Sequence, residues 1–104
     1  MWIVSKDKKY IFNAERITSF YVTFSGTNVI RCAFDNVSSK PMTLGEYLSA
    51  YSAEAIMAQI AAAICRNESV YYMPDDDAAE QMTRIMEQRA RASNGKKTVR
   101  RGGS

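Results

Sequence analysis

The sequence predicts an α+β domain: an antiparallel β-meander of about five strands packed by one central α-helix, followed by a second C-terminal helix and a disordered basic tail. Three observations predict it. Residues 16–34 alternate in polarity on either side of a glycine turn, the period of paired strands. Residues 52–66 carry Ile56, Ile60 and Ile64 four apart, beside Ala53, Met57 and Ala61, which makes one wide helical stripe. Residues 75–91 open on three aspartates and close on arginines, the charge order that suits a helix dipole.

Taken in order, Trp2-Ile3-Val4 reads as a first strand and Tyr10-Ile11-Phe12 as a second, joined by the polar turn Ser5–Lys8. Asn13-Ala14-Glu15 connects to the longest strand, Arg16–Phe24. Phe20, Val22 and Phe24 share one face of it; Ile17, Ser19, Tyr21 and Thr23 share the other. Gly26 supplies the turn because it accepts a positive φ. Val29–Phe34 returns antiparallel, with Ile30, Cys32 and Phe34 toward the core and Arg31 beside Tyr21 on the opposite face. After a polar loop and Pro41, Met42-Thr43-Leu44 is a short strand with Gly45 at its end. Ser52 is the candidate N-cap of the central helix. Asn67-Glu68 breaks that helix, and Ser69–Met73 is a short β-rich run stopped by Pro74. In the second helix, Glu80/Arg84 and Glu87/Arg91 stand at ion-pair spacing. Asn94-Gly95 ends it.

A chain of 104 residues is one domain, read here as residues 1–93, with 94–104 as a flexible basic tail. The formal charge of +3 hides an uneven distribution. Residues 1–93 hold ten Lys and Arg against eleven Asp and Glu, and the tail adds Lys96, Lys97, Arg100 and Arg101 with no acid. The absence of histidine removes the commonest general base and metal ligand. Cys32 and Cys65 lack metal-type spacing and read as two free, buried thiols of a reducing compartment. No apolar run reaches membrane-span length, and the N-terminus carries charge too early for a signal peptide. The expectation is a cytoplasmic, non-enzymatic protein without cofactor, metal or membrane association.

The opening Met1-Trp2-Ile3-Val4-Ser5-Lys6-Asp7-Lys8-Lys9, Asn13 with Ile17, the run Leu44-Gly45-Glu46-Tyr47, Ser52-Ala53-Glu54-Ala55 with Ile60, and Tyr72-Met73-Pro74 together resemble a group of small proteins encoded by phages and mobile elements of Gram-positive bacteria. The resemblance spans residues 1–74. It implies an accessory protein acting in the host bacterial cell, of a kind that includes inhibitors of host defence proteins. It assigns no catalytic residue.

Four candidate sites follow from the residues. Trp2, Tyr10, Tyr21, Arg31, Tyr71 and Tyr72 form a candidate aromatic-basic binding surface on the sheet, since aromatics and Arg dominate interface hot spots; ordinary strand composition is the competing reading. The same rings could stack a small nucleotide, with Arg31 meeting its phosphate. Met82, Ile85 and Met86 form a narrow apolar stripe on the second helix and predict a homodimer. Lys96, Lys97, Arg100 and Arg101 could attract nucleic acid without sequence preference; a solvated tail is the alternative. Asp75-Asp76-Asp77 is explained by its place at a helix N-terminus and lacks the alternating ligands of a Ca²⁺ loop. The leading functional expectation is a factor that binds and inhibits a host protein.

Overall fold

Among the described residues, six strands and two α-helices form the domain, with β1 Trp2–Val4, β2 Ile11–Asn13, β3 Ile17–Phe24, β4 Asn28–Phe34, β5 Met42–Tyr47, α1 Ala50–Cys65, β6 Val70–Tyr72 and α2 Asp76–Gly103. The computed structural model describes residues 1–35 and 40–103, and the side chains of Met86 and of residues 93–103 lie outside the description. The class is α+β, as expected. The single meander is corrected: there are two three-stranded sheets, ordered β2-β1-β6 and β3-β4-β5.

The division has a local cause. Asn13 caps a single 3-10 turn at Ala14–Arg16, its Oδ1 accepting the Glu15 amide at 3.1 Å. That turn breaks the ladder and sends the chain into a second sheet. β1 meanwhile pairs on both edges, antiparallel with β2 and parallel with β6. The parallel pair needs a long crossover, and everything from β2 to α1 supplies it.

Both sheets and α1 share one core. Ile3, Phe12, Ile30, Cys32, Leu44, Tyr47, Ala53, Ile56, Ile60 and Met73 are buried in it, with Phe20 and Phe34 packed against its margin. Gly26 takes φ +74° in the β3–β4 turn, and Tyr21 pairs with Arg31 across the ladder, both as the pattern predicts.

α1 begins earlier than expected. Ser49, not Ser52, is the N-cap, its Oγ accepting the amides of Tyr51 and Ser52. Ser52 is instead buried, donating to the Ala79 carbonyl at 2.8 Å and meeting the Thr83 hydroxyl. Ile64 is half exposed, because a step of four residues overshoots a helical turn by about 40° and two steps carry it off the buried face. Asn67 ends α1 in the left-handed region (φ 58°). Its amide bonds Ile64 O and the Glu68 amide bonds Ala63 O, a Schellman closure.

Two further readings are corrected. Gly45 lies inside β5, next to a bulge at Leu44, rather than at the strand's end. The backbone of α2 is helical from Asp76 to Gly103, with no break at Asn94-Gly95. One glycine in an exposed helix costs about 1 kcal/mol, and the flanking Lys and Arg are good helix formers. Asp75 caps this helix through its Oδ1 and the Ala78 amide (2.8 Å), and Glu80 pairs with Arg84 at 3.0 Å.

Candidate binding surface

The six residues predicted as one aromatic-basic surface do not meet on one face. Tyr21 and Arg31 stand on the β3-β4-β5 sheet, whereas Trp2, Tyr71 and Tyr72 stand on β2-β1-β6. Tyr71 is opposite the fully buried Ile3 and so points to the core side. Its hydroxyl donates to Gln59 Oε1 of α1 at 2.9 Å, and burial raises its pKa to about 12. Tyr10 stacks on Phe12, ring centroids 5.9 Å apart, and belongs to the rim of the core side. Arg31 is half-buried, and its Nε has no hydrogen-bond partner among the described residues.

What the register does bring together is the outer face of β2-β1-β6. Trp2 lies between Asn13 and Val70, and Val4 lies between Ile11 and Tyr72. Directly opposed residues share a face, so these two cross-strand rows form one apolar plate. Trp2 is 51% exposed, Ile11 65% and Tyr72 66%, with Val4 half-buried between Ile11 and Tyr72. The inner face of the same strands is buried through Ile3 and Phe12. A strand that is apolar on both faces is the sequence mark of a sheet covered on both sides. Trp2-Ile3-Val4 carries that mark, and it is the signal that would have brought Val4, Ile11 and Val70 into the candidate set.

A second feature lies between the two sheets. A cleft of about 590 Å³ is bounded by the Ser5–Tyr10 turn on one side and Pro41–Glu46 on the other. Its Lys6 and Asp7 side chains are already engaged. The Ser5 hydroxyl, at 2.6 Å, and the Lys9 amide, at 2.9 Å, hold the Asp7 carboxyl below its ordinary pKa. Lys6 Nζ donates to Glu46 O at 2.6 Å, pairs with Asp76 at 2.5 Å, and sits 4.4 Å from the centroid of the Tyr47 ring. The Lys6 amide donates to Leu44 O, the Tyr47 hydroxyl to Pro74 O, and the Met73 amide to Val4 O. The motifs Ser5-Lys6-Asp7, Leu44-Gly45-Glu46-Tyr47 and Tyr72-Met73-Pro74 therefore meet at one junction. Its groups tie both sheets to the start of α2.

The α2 stripe is divided. Met82 packs against the core of its own domain, Ile85 is half exposed, and the side chain of Met86 lies outside the described residues. The side chains of Lys96, Lys97, Arg100 and Arg101 lie outside them too. Cys32 is buried and its thiol is pushed up to about 11 by desolvation; Cys65 is exposed, which corrects the expectation of two buried thiols. Cys65 sits in the last turn of α1, next to the half-exposed Ile64 and past the end of the buried face. Among the described residues no group of three or more Cys, Asp or Glu is placed to hold a metal ion, and no helix is long and apolar enough to cross a membrane.

Compared with known proteins, the chain matches no family model, no curated protein and no solved structure.

Proposed function

We propose that this is a non-enzymatic binding protein, a phage or mobile-element accessory factor that docks the outer face of its β2-β1-β6 sheet onto a protein of the host cytoplasm and inhibits it. The observation that carries the reading is the plate itself: Trp2, Val4, Ile11, Val70 and Tyr72 in two cross-strand rows with no charged residue among them. Contiguous apolar area of this kind marks interaction sites on soluble proteins. Trp and Tyr are the residue types that most often anchor such contacts. The resemblance of residues 1–74 to phage and mobile-element proteins supplies the cellular setting.

The nucleotide-stacking reading loses its phosphate partner, since Arg31 stands on the other sheet. Nucleic-acid binding through Lys96, Lys97, Arg100 and Arg101 rests on side chains outside the described residues.

The test is affinity capture from a lysate of a Gram-positive bacterium, run in parallel with the unmodified protein and with a Trp2→Asp/Tyr72→Asp variant. A host protein retained by the first and lost by the second, with the variant's circular dichroism unchanged, is the expected result. A set of captured proteins identical in the two arms contradicts it.

A further inference from the structure

β3 is the outer strand of the β3-β4-β5 sheet, and its free edge is undefended. Natural edge strands are blunted with charge, proline, shortness or bulges. β3 is eight residues long, Ile-Thr-Ser-Phe-Tyr-Val-Thr-Phe, without a charge, a proline or a glycine. A bulge at Thr18 disturbs one end only; Ser19–Phe24 run in regular register. Among the described residues, β4 is the only strand paired with it. Its apolar row does not end where the core ends. Phe20 packs against the core, but Val22, on the same face, is 41% exposed and Phe24 is 76% exposed.

We infer that this edge pairs with the same edge of a second copy, antiparallel about a twofold axis through Val22, joining two three-stranded sheets into one of six. The argument for a second copy is the symmetry of Phe20-Tyr21-Val22-Thr23-Phe24. Reversed, the segment repeats its own order of large apolar and intervening residues. With Val22 opposite Val22, Phe20 stands opposite Phe24 of the second copy and Tyr21 opposite Thr23. Each is an aromatic or β-branched pair of the kind that stabilises sheets. A slip of one residue would set this row against the opposite face of the second copy. A slip of two would set Phe20 opposite Gly26, beyond the strand, in one direction, or Phe24 opposite Thr18, at the bulge, in the other. The strand carries no charge, so a twofold axis sets no like charges against each other, and a charged peptide would find no complement there. The contact is distinct from the α2 stripe, and it leaves the outer face of β2-β1-β6 free.

Sedimentation equilibrium at tens of micromolar should give twice the 11.7 kDa chain mass. Val22→Lys puts two ammonium groups face to face on the axis and should halve that mass with the β-sheet circular dichroism kept. Phe24→Lys, at a more exposed position, serves if Val22→Lys fails to fold. In a Cys65→Ser background, Val22→Cys should be joined into a covalent dimer by a short bifunctional maleimide, and Thr18→Cys should not. Monomer mass for the unmodified protein overturns the inference. So does a dimer that survives both lysine substitutions, or one that Ile85→Asp dissociates, which would place the contact on α2.

Discussion

Replacing Gly45 by alanine probes the junction that ties the two sheets and α2 together. A Cβ built at Gly45 would lie 3.0 Å from both Cε2 and Oη of Tyr47 and 3.1 Å from Lys6 Cβ. Carbon atoms rest at about 3.5–4.0 Å, so something must move. Lys6 is held at its tip by Glu46 O, Asp76 and the Tyr47 ring. Tyr47 is 2% exposed, and its hydroxyl is fixed to Pro74 O at 2.8 Å. If the ring yields, overpacking of this kind costs about 1–3 kcal/mol and the lost hydrogen bond about 1 kcal/mol. Alanine returns about 0.4–1 kcal/mol by restricting the unfolded chain. The net expectation is a loss of about 1–3 kcal/mol, which for a domain of this size lowers Tm by roughly 5–20 °C. Urea unfolding followed by circular dichroism measures it. A Tyr47→Phe background removes the Oη contact and the hydrogen bond together, so the further cost of Gly45→Ala should be smaller there. An unchanged or raised midpoint for Gly45→Ala would refute the junction as a rigid contact.

Further expectations follow from the core and from its titrating groups. Ile60→Ala, at a buried position beneath both sheets, should cost about 2–5 kcal/mol in denaturant melts, and a change under about 0.5 kcal/mol would mean that α1 does not seal the core. A thiol reagent should modify one cysteine in the native protein and two in denaturant; two fast native reactions would contradict the burial of Cys32. Burial raises Cys32 to about 11 and also raises Tyr47 and Tyr71, so above pH 9 the unfolded chain loses protons that the folded chain keeps. Stability should therefore fall as pH rises from 9 to 11, and a flat or rising profile in urea melts would refute that sign.

The local part of the fold was legible in the sequence. Phe20 to Phe24 and Val29 to Phe34 alternate cleanly, so the β3–β4 hairpin, its glycine turn and the Tyr21–Arg31 pair follow from period alone. Ile56 and Ile60 likewise announce the buried stripe of α1. What escaped depends on contacts distant in sequence. The parallel partnership of Trp2–Val4 with Val70–Tyr72 spans nearly the whole domain, and no short-range signal encodes it. Without it Tyr71 and Tyr72 look alike, although one bonds Gln59 and the other faces solvent. Ser49 and Ser52 are both chemically fit to cap a helix, and only the packing of α2 decides that Ser52 bonds Ala79. Gly45 reads as a strand terminus until Lys6 and Tyr47 are placed over it. The candidate surface was half visible for the same reason: Trp2 and Tyr72 stood out by residue type, whereas Val4, Ile11 and Val70 join them only through the register.

Photo-crosslinking in bacterial cells tests the docking role proposed for the outer face of β2-β1-β6. A photoreactive phenylalanine analogue is placed at Tyr72 in one protein and at Ile64, exposed on α1, in another. A discrete covalent adduct with a host protein is expected from position 72 and none from position 64. No adduct from position 72, or the same adduct from both positions, would contradict it.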